Sequence, residues 1–266
     1  MTNGGKAREV ETTLVIRSEE PEQVAREIAG LSSIEDYRLL PQDSNEIHDR
    51  YFDTVDRTLE SRKLALRVRQ IGGTSWITLK GPSQASGWDG VERLEIEETW
   101  SENAVRRVVR ELRNRSVELP SLPGDFIRVD PLDVMTSLGL AMIQDRETHR
   151  DIRNIVFAGR EKGTVLAELA IDSVAYNFGD RKIRHHEVEI EAKVEDGSAV
   201  LEKATKGLIE MYGVALRPWK YSKLATGKAI EKLLGEGALE ELLDINNNLK
   251  PVAYDKIDGL LRRGNM

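Results

Sequence analysis

His186-Glu187-Val188-Glu189-Ile190-Glu191-Ala192-Lys193 carries carboxylates at positions i, i+2 and i+4. On a β-strand these share one face, about 6.6 Å apart at a rise of roughly 3.3 Å per residue. Val188, Ile190, Ala192 and Val194 take the other face. Three like charges in a row repel and are costly to desolvate unless a cation lies among them. An antiparallel strand with one face in water would explain a single case. The same sorting of ionic from aliphatic residues recurs along the chain, and the repetition decides the reading.

Residues 9–17 alternate as a strand, with Glu9, Glu11 and Thr13 on one face. A second strand covers 46–53 and ends at Tyr51-Phe52-Asp53-Thr54, where Asp53-Thr54 reads as a turn. Strands 64–71 and 74–80 flank Gly72-Gly73, a two-residue loop suited to a type I′ turn. That turn fixes the register. Ile71 faces Thr74, Arg69 faces Trp76, Arg67 faces Thr78 and Ala65 faces Lys80, so Arg67, Arg69, Thr78 and Lys80 share a face. Strand 91–100 puts Arg93, Glu95 and Glu97 together. Further strands are predicted at 142–158, 164–176 (with Glu168 and Asp172 on one face) and 185–194. Helices are predicted from Pro21 to about Leu31 and over 102–116, 131–139, 198–212 and 223–234.

The charges are partly segregated by sign: acidic on the strands of Glu9 and Glu187, basic on the hairpin of Arg67 and Lys80. If the strands close into a barrel with this face inward, the bore has an acidic wall and a basic wall. Carboxylate clusters suit hard divalent cations, and Arg and Lys suit phosphate oxygens. A metal-bound polyphosphate would satisfy both, with helices covering the aliphatic faces outside.

Composition narrows the alternatives. A net charge of −7 argues against a broad nucleic-acid surface, and the lack of cysteine excludes disulfides, thiol chemistry and Cys-based zinc sites. No apolar run reaches the roughly 18 residues of a membrane span, and the N-terminus has no signal-peptide core, so a cytoplasmic protein is expected. Residues 1–8 read as a disordered lead-in. Residues 9–235 read as one domain of two halves joined near 117–140, and 236–266 as a helical extension packed peripherally.

In order and spacing, these segments resemble the CYTH superfamily, the triphosphate tunnel metalloenzymes. The matching pieces are Glu9-Val10-Glu11, Tyr51-Phe52-Asp53-Thr54, Leu66-Arg67-Val68-Arg69, Thr78-Leu79-Lys80-Gly81 and Arg93-Leu94-Glu95-Ile96-Glu97. They continue with Arg146, Arg150, Ala170-Ile171-Asp172, Glu187-Val188-Glu189-Ile190-Glu191 and Ser222-Lys223, spanning roughly 9–230. The resemblance implies an α+β fold, an eight-stranded antiparallel β-barrel or tunnel whose bore is lined by ionic residues, with a triphosphate bound through Mg²⁺ or Mn²⁺. Members include inorganic triphosphatases, thiamine triphosphatases, class IV adenylyl cyclases and RNA triphosphatases. The family's N-terminal motif is usually Glu-x-Glu-x-Lys; here the Lys position is Thr13, which removes one expected phosphate-contacting cation.

With that resemblance, Glu9, Glu11, Asp172, Glu187, Glu189 and Glu191 are the metal-ligand candidates. Arg67, Arg69, Lys80, Arg93, Arg146, Arg150 and Lys223 are the phosphate contacts. Glu9, Glu11, Lys80 and Glu189 are the catalytic candidates. Glu95 and Glu97 are outer-shell groups or counter-charges, and His185, His186, Trp76 and Trp219 are taken as non-catalytic. One metal would bridge phosphate oxygens and a second would acidify an attacking water. The expected reaction is hydrolysis of tripolyphosphate, which asks only for phosphate contacts. Thiamine or nucleoside triphosphate hydrolysis, ATP cyclisation and a non-catalytic polyphosphate- or nucleotide-binding module are the alternatives. A small-molecule substrate is the expected partner, with no nucleic acid or membrane, on a monomer or homodimer.

Overall fold

The structure, a computed structural model, describes residues 10–86, 90–158, 164–194 and 197–264, without the side chains of 83–86, 90–94 and 264. The N-terminal lead-in and Glu9 lie outside the described residues, as does the side chain of Arg93.

The chain divides into two compact units, one of residues 1–45 and 148–266, the other of residues 46–147. The connector expected at 117–140 therefore falls inside the second unit. The first unit opens with β1 (Glu11–Ile16), α1 (Pro21–Ala29), β2 (Ser33–Ile34) and β3 (Tyr37–Pro41). The second contains β4 (Asn45–Thr54), α2 (Thr58–Ser61), β5 (Ala65–Ile71), β6 (Thr74–Ser86), β7 (Gly90–Thr99), α3 (Glu102–Asn114) and α4 (Pro131–Ser137). Strand β8 (Leu140–Phe157) runs on into the first unit. There β9 (Ala167–Phe178), β10 (Arg181–Ala192), α5 (Ser198–Tyr212), β11 (Leu216–Pro218), α6 (Lys223–Gly235) and α7 (Pro251–Gly264) follow.

Among the described residues the strands are hydrogen-bonded in the order β11-β1-β10-β9-β8-β4-β5-β6-β7, with β3 on β8 and β2 on β3. The antiparallel sheet with flanking helices is as expected. The closed eight-stranded barrel is not borne out: among the described residues the sheet has eleven strands and its hydrogen-bonded path is open, ending at β11 and β7. Three of the strands, β2, β3 and β11, are two, five and three residues long, too short to show a pattern in the sequence.

In the first unit the aliphatic face of the sheet carries Leu14, Ile16, Leu169, Ile171, Val188 and Ile190, all buried. Helix α1 covers it with Ala25 and Ile28, and α5 with Leu201, Ala204 and Leu208, spaced for one helical face. Each such aliphatic side chain stabilises the fold by roughly 1.5–3 kcal/mol. The approach of α5 is close at Gly207, where a Cβ would stand 2.8 Å from Ile34 Cγ2.

The opposite face, the one bearing Glu187, turns apolar at one end. Directly opposed residues share a face, and the register sets Val15 across from Glu187 and Val174 across from His185. Val15, Val174, Tyr176 and Ile183 pack with Ile230 and Leu233 of α6 and Ala253, Tyr254 and Ile257 of α7. The C-terminal extension is thus part of the core, which corrects the peripheral packing expected of it. Its apolar residues are spread over two helices and a loop, so no single amphipathic run shows it.

In the second unit Leu66, Val68, Ile77, Leu79 and Ile96 form the aliphatic face beneath α3 and α4. Helix α3 starts at Ser101, whose hydroxyl accepts from the Ala104 amide, and buries Val105, Val108, Val109 and Leu112. The β5–β6 register is the expected one: Ala65 opposite Lys80, Arg67 opposite Thr78, Arg69 opposite Trp76 and Ile71 opposite Thr74. Gly72 and Gly73 have φ of 53° and 81°, the left-handed values that a type I′ turn needs at both positions. The turn expected at Asp53-Thr54 falls just after it, since both residues end β4 and the chain turns at Val55-Asp56; the buried Asp53 carboxylate accepts from the amides of Thr54, Leu59 and Glu60, the last two in α2.

Candidate functional site

In the first unit, carboxylate oxygens of Asp172, Glu187 and Glu189 all lie within 4.8 Å of one another. The ladder explains this. Asp172 is directly across from Glu187, and Glu189 is two residues along β10 on the same face. Two cations sit among them. Lys223 Nζ is 2.9 Å from Asp172 Oδ2 and 2.6 Å from Glu189 Oε1, and it also contacts Glu187 Oε1. Arg150 Nε donates to Asp172 Oδ1 at 2.7 Å, and its Nη2 donates to Asp172 Oδ2 at 2.5 Å and Glu189 Oε2 at 2.6 Å.

The electrostatics follow from burial and these partners. Burial alone would push the carboxyl of Glu187 up, but Lys223 and the hydrogen bond from His185 hold it down to about 2. Asp172 and Glu189 are lowered in the same way, against burial, by Lys223 and Arg150. Burial disfavours charge on Lys223, but the three carboxylates outweigh it and raise its pKa well above the ordinary lysine value. Ser222 caps α6 by accepting from the Ala225 amide, so Lys223 is the first helical residue. A cation there opposes the helix dipole, and the carboxylates are what hold it.

The second unit carries a basic cluster. Asp49, 1% exposed, accepts from Arg69 Nε and Nη2 at 2.7 and 2.9 Å and from Arg146 Nη2 at 2.8 Å. Arg67 Nε stands 3.5 Å from the same carboxylate. Burial pushes Asp49 up, yet Arg146, Arg69 and Arg67 together hold it well below the usual carboxylate range. The guanidinium groups of Arg146 and Arg67 lie 5.2 and 5.9 Å from the centre of the Tyr51 ring. Arg67 also donates to Thr78 and Glu97, and Lys80 pairs with Glu95 at 2.8 Å. Glu95 and Glu97 are thus counter-charges that hold Lys80 and Arg67.

A model of the CYTH domain matches residues 7–215, more than half of the chain. The chain belongs to the CYTH domain family. A solved structure of a Hippeastrum protein, assigned as an adenylyl cyclase and described as revealing a dominant triphosphatase activity, is similar to this CYTH domain at 18% identity. It covers 84% of this chain and 96% of that one, with a TM-score of 0.51, a likeness of fold. A Bacillus halodurans protein assigned as an adenylate cyclase is 20% identical, over 80% of this chain and 94% of that one, with a TM-score of 0.45. No curated protein matches the chain. Among the described residues, no helix of this CYTH domain is long and apolar enough to cross a membrane.

Of the expected metal ligands, then, Asp172, Glu187 and Glu189 come together. Glu191 lies one row along, opposite Glu11 and Glu168, where Lys193 Nζ is 2.9 Å from it. Neither Glu191 nor the exposed Glu11 joins the trio. Of the expected phosphate contacts, Arg67, Arg69 and Arg146 gather on Asp49, whereas Arg150 and Lys223 bind the trio instead. Thr13 lies directly across from Glu189, so the residue at the family's usual Lys position does border the acidic group. Sequence reasoning passed over Asp49, a lone carboxylate in a strand of mixed polar residues. It also set His185 aside; this buried ring places Nε2 2.6 Å from Glu187 Oε2. Trp219 is a packing residue, buried with its Nε1–H on Thr226.

Proposed function

We propose that this CYTH domain is a metal-dependent hydrolase of triphosphates, with inorganic tripolyphosphate as its preferred substrate. The observation that carries the reading is the trio Asp172, Glu187 and Glu189, whose ligand oxygens fall within 4.8 Å of one another. The donors are hard carboxylate oxygens, the chemistry that Mg²⁺ and Mn²⁺ prefer. Three carboxylates against Lys223 and Arg150 leave one negative charge over, which favours a cation. The residues present therefore fit the metal that the family uses. A divalent ion held by the trio would neutralise phosphate oxygens and acidify a bound water.

The chain's own residues do the rest. Arg150 and Lys223, which now pair with the trio, are cations of the type that would contact phosphate oxygens once an ion took over part of that pairing. Taken by itself, the second unit gathers Arg67, Arg69, Arg146 and Lys80, whose guanidinium groups have the forked geometry that suits phosphate. The triphosphatase activity described for the Hippeastrum protein agrees with hydrolysis. One observation favours a second reading, a polyphosphate-binding module without turnover: Thr13 beside Glu189 lacks the ammonium that the family's Lys would bring.

Phosphate release from tripolyphosphate, thiamine triphosphate and ATP, each with Mg²⁺ and with Mn²⁺, separates these. Tripolyphosphate is expected to show kcat/KM about tenfold or more above the others, a difference of about 1.4 kcal/mol in transition-state stabilisation. Binding of tripolyphosphate with no release under either metal would replace the hydrolase by the binding module.

A further inference from the structure

The trio does not stand alone; one of its members is held from behind. Glu187 is 1% exposed and uses its two oxygens differently. Oε1 meets Lys223 among the other carboxylates, while Oε2 meets His185 Nε2 at 2.6 Å. The His185 ring is fully buried, and its Nδ1 lies 3.2 Å from the hydroxyl of Tyr254 in α7. A tyrosine hydroxyl can donate to or accept from a ring nitrogen, so this contact holds the His185 ring in either tautomer. A carboxylate oxygen only accepts, so the ring nitrogen facing Glu187 Oε2, Nε2, is the one that donates to it.

The relay is built by chain distant in sequence. Tyr254 and His185 are 69 residues apart. Leu249 N–H donates to Arg184 O, and Arg184 N–H donates to Asn247 O, tying the loop before α7 to the edge of β10. Asn248 Oδ1 is 3.0 Å from His186 Nε2 on the other face of that strand. Trp219 packs edge-on against Tyr254 at 5.8 Å. All of α7 lies beyond the residues matched to the CYTH domain.

We propose that Tyr254 and His185 are positioning residues for the metal site: they lock Glu187 Oε2 so that Oε1 is presented with Asp172 and Glu189. This rests on the reading of the trio as a metal site. Groups that orient a metal's carboxylate and imidazole ligands typically account for about 10–100-fold in metal affinity.

The test measures Mn²⁺ binding to the full chain, without substrate, by electron paramagnetic resonance of the free ion. Tyr254→Phe keeps the ring and its packing and removes the hydroxyl; it is expected to weaken Mn²⁺ binding about tenfold or more. Its tripolyphosphate turnover is expected to fall at low Mn²⁺ and to recover as Mn²⁺ is raised, which a general loss of structure would not give. His185→Gln retains an amide donor toward Glu187 and is expected to keep more of the affinity than His185→Leu. If the unaltered chain binds no Mn²⁺, the metal site itself falls, and this inference with it. If the unaltered chain binds Mn²⁺ and Tyr254→Phe, still folded by circular dichroism, binds it within about twofold, the positioning role alone is overturned.

Discussion

Glu189→Gln is expected to lower kcat/KM for tripolyphosphate with Mn²⁺ on the order of 10²–10³-fold, the loss that follows when several kcal/mol of metal-assisted stabilisation are removed. The change is nearly isosteric, and Glu189 is half-buried at the open side of the trio, so the unfolding midpoint should move far less than the rate. Lys223 and Arg150 contact separate oxygens of Glu189 at 2.6 Å each, so the single amide oxygen keeps one of these contacts and gives up the other. What it no longer supplies is the negative charge that favours a divalent ion among Asp172 and Glu187. Turnover within a few-fold of the unaltered chain, at limiting metal, would remove Glu189 from the ligand set.

The second large effect is on stability. Asp49→Asn takes the shared carboxylate away from Arg69, Arg146 and Arg67, and breaking a buried ion pair by removing one partner costs about 3–5 kcal/mol. Asp49 is held well below its ordinary value of 3.8, so its contribution is fully present above that value. It is lost only as pH falls toward the depressed one. The shift in urea midpoint at neutral pH is therefore the measurement. Tripolyphosphate in the assay should return part of the lost stability, because an anion that binds the folded arginines favours the folded state by mass action. A cost under about 1 kcal/mol would show that the three guanidinium groups are solvated without Asp49.

Some of this was legible in the residues alone. Gly72-Gly73 specified the turn, the turn specified the register, and the register placed Arg67, Arg69 and Lys80 on the basic face. The alternation around Glu187 and Asp172 likewise brought two strands of the acidic group into line. The β2–β3 hairpin was not legible, since its turn at Glu35-Asp36 has no glycine and Glu35 itself takes a φ of 49°. Asp49 gave no signal because a single carboxylate makes no pattern; its role lies in who gathers round it. Tyr254 and His185 meet only through the path of the C-terminal loop along β10, a long-range contact with no local trace. The number of strands was misjudged for a related reason, since β11 and β2 are held by pairing rather than by any alternation of their own.

The ammonium of Lys223, seated on oxygens of Asp172, Glu187 and Glu189, has a consequence for how the protein is made. In a zinc finger the chain cannot fold until its ion arrives, because nothing else offsets the bare ligands. Here the sequence supplies its own resident counter-ion, delivered by the first turn of α6 as that helix docks. If the trio takes the proposed divalent ion, assembly of the first unit and its loading would be separate events. The newly made chain would then stand folded before any ion reached it.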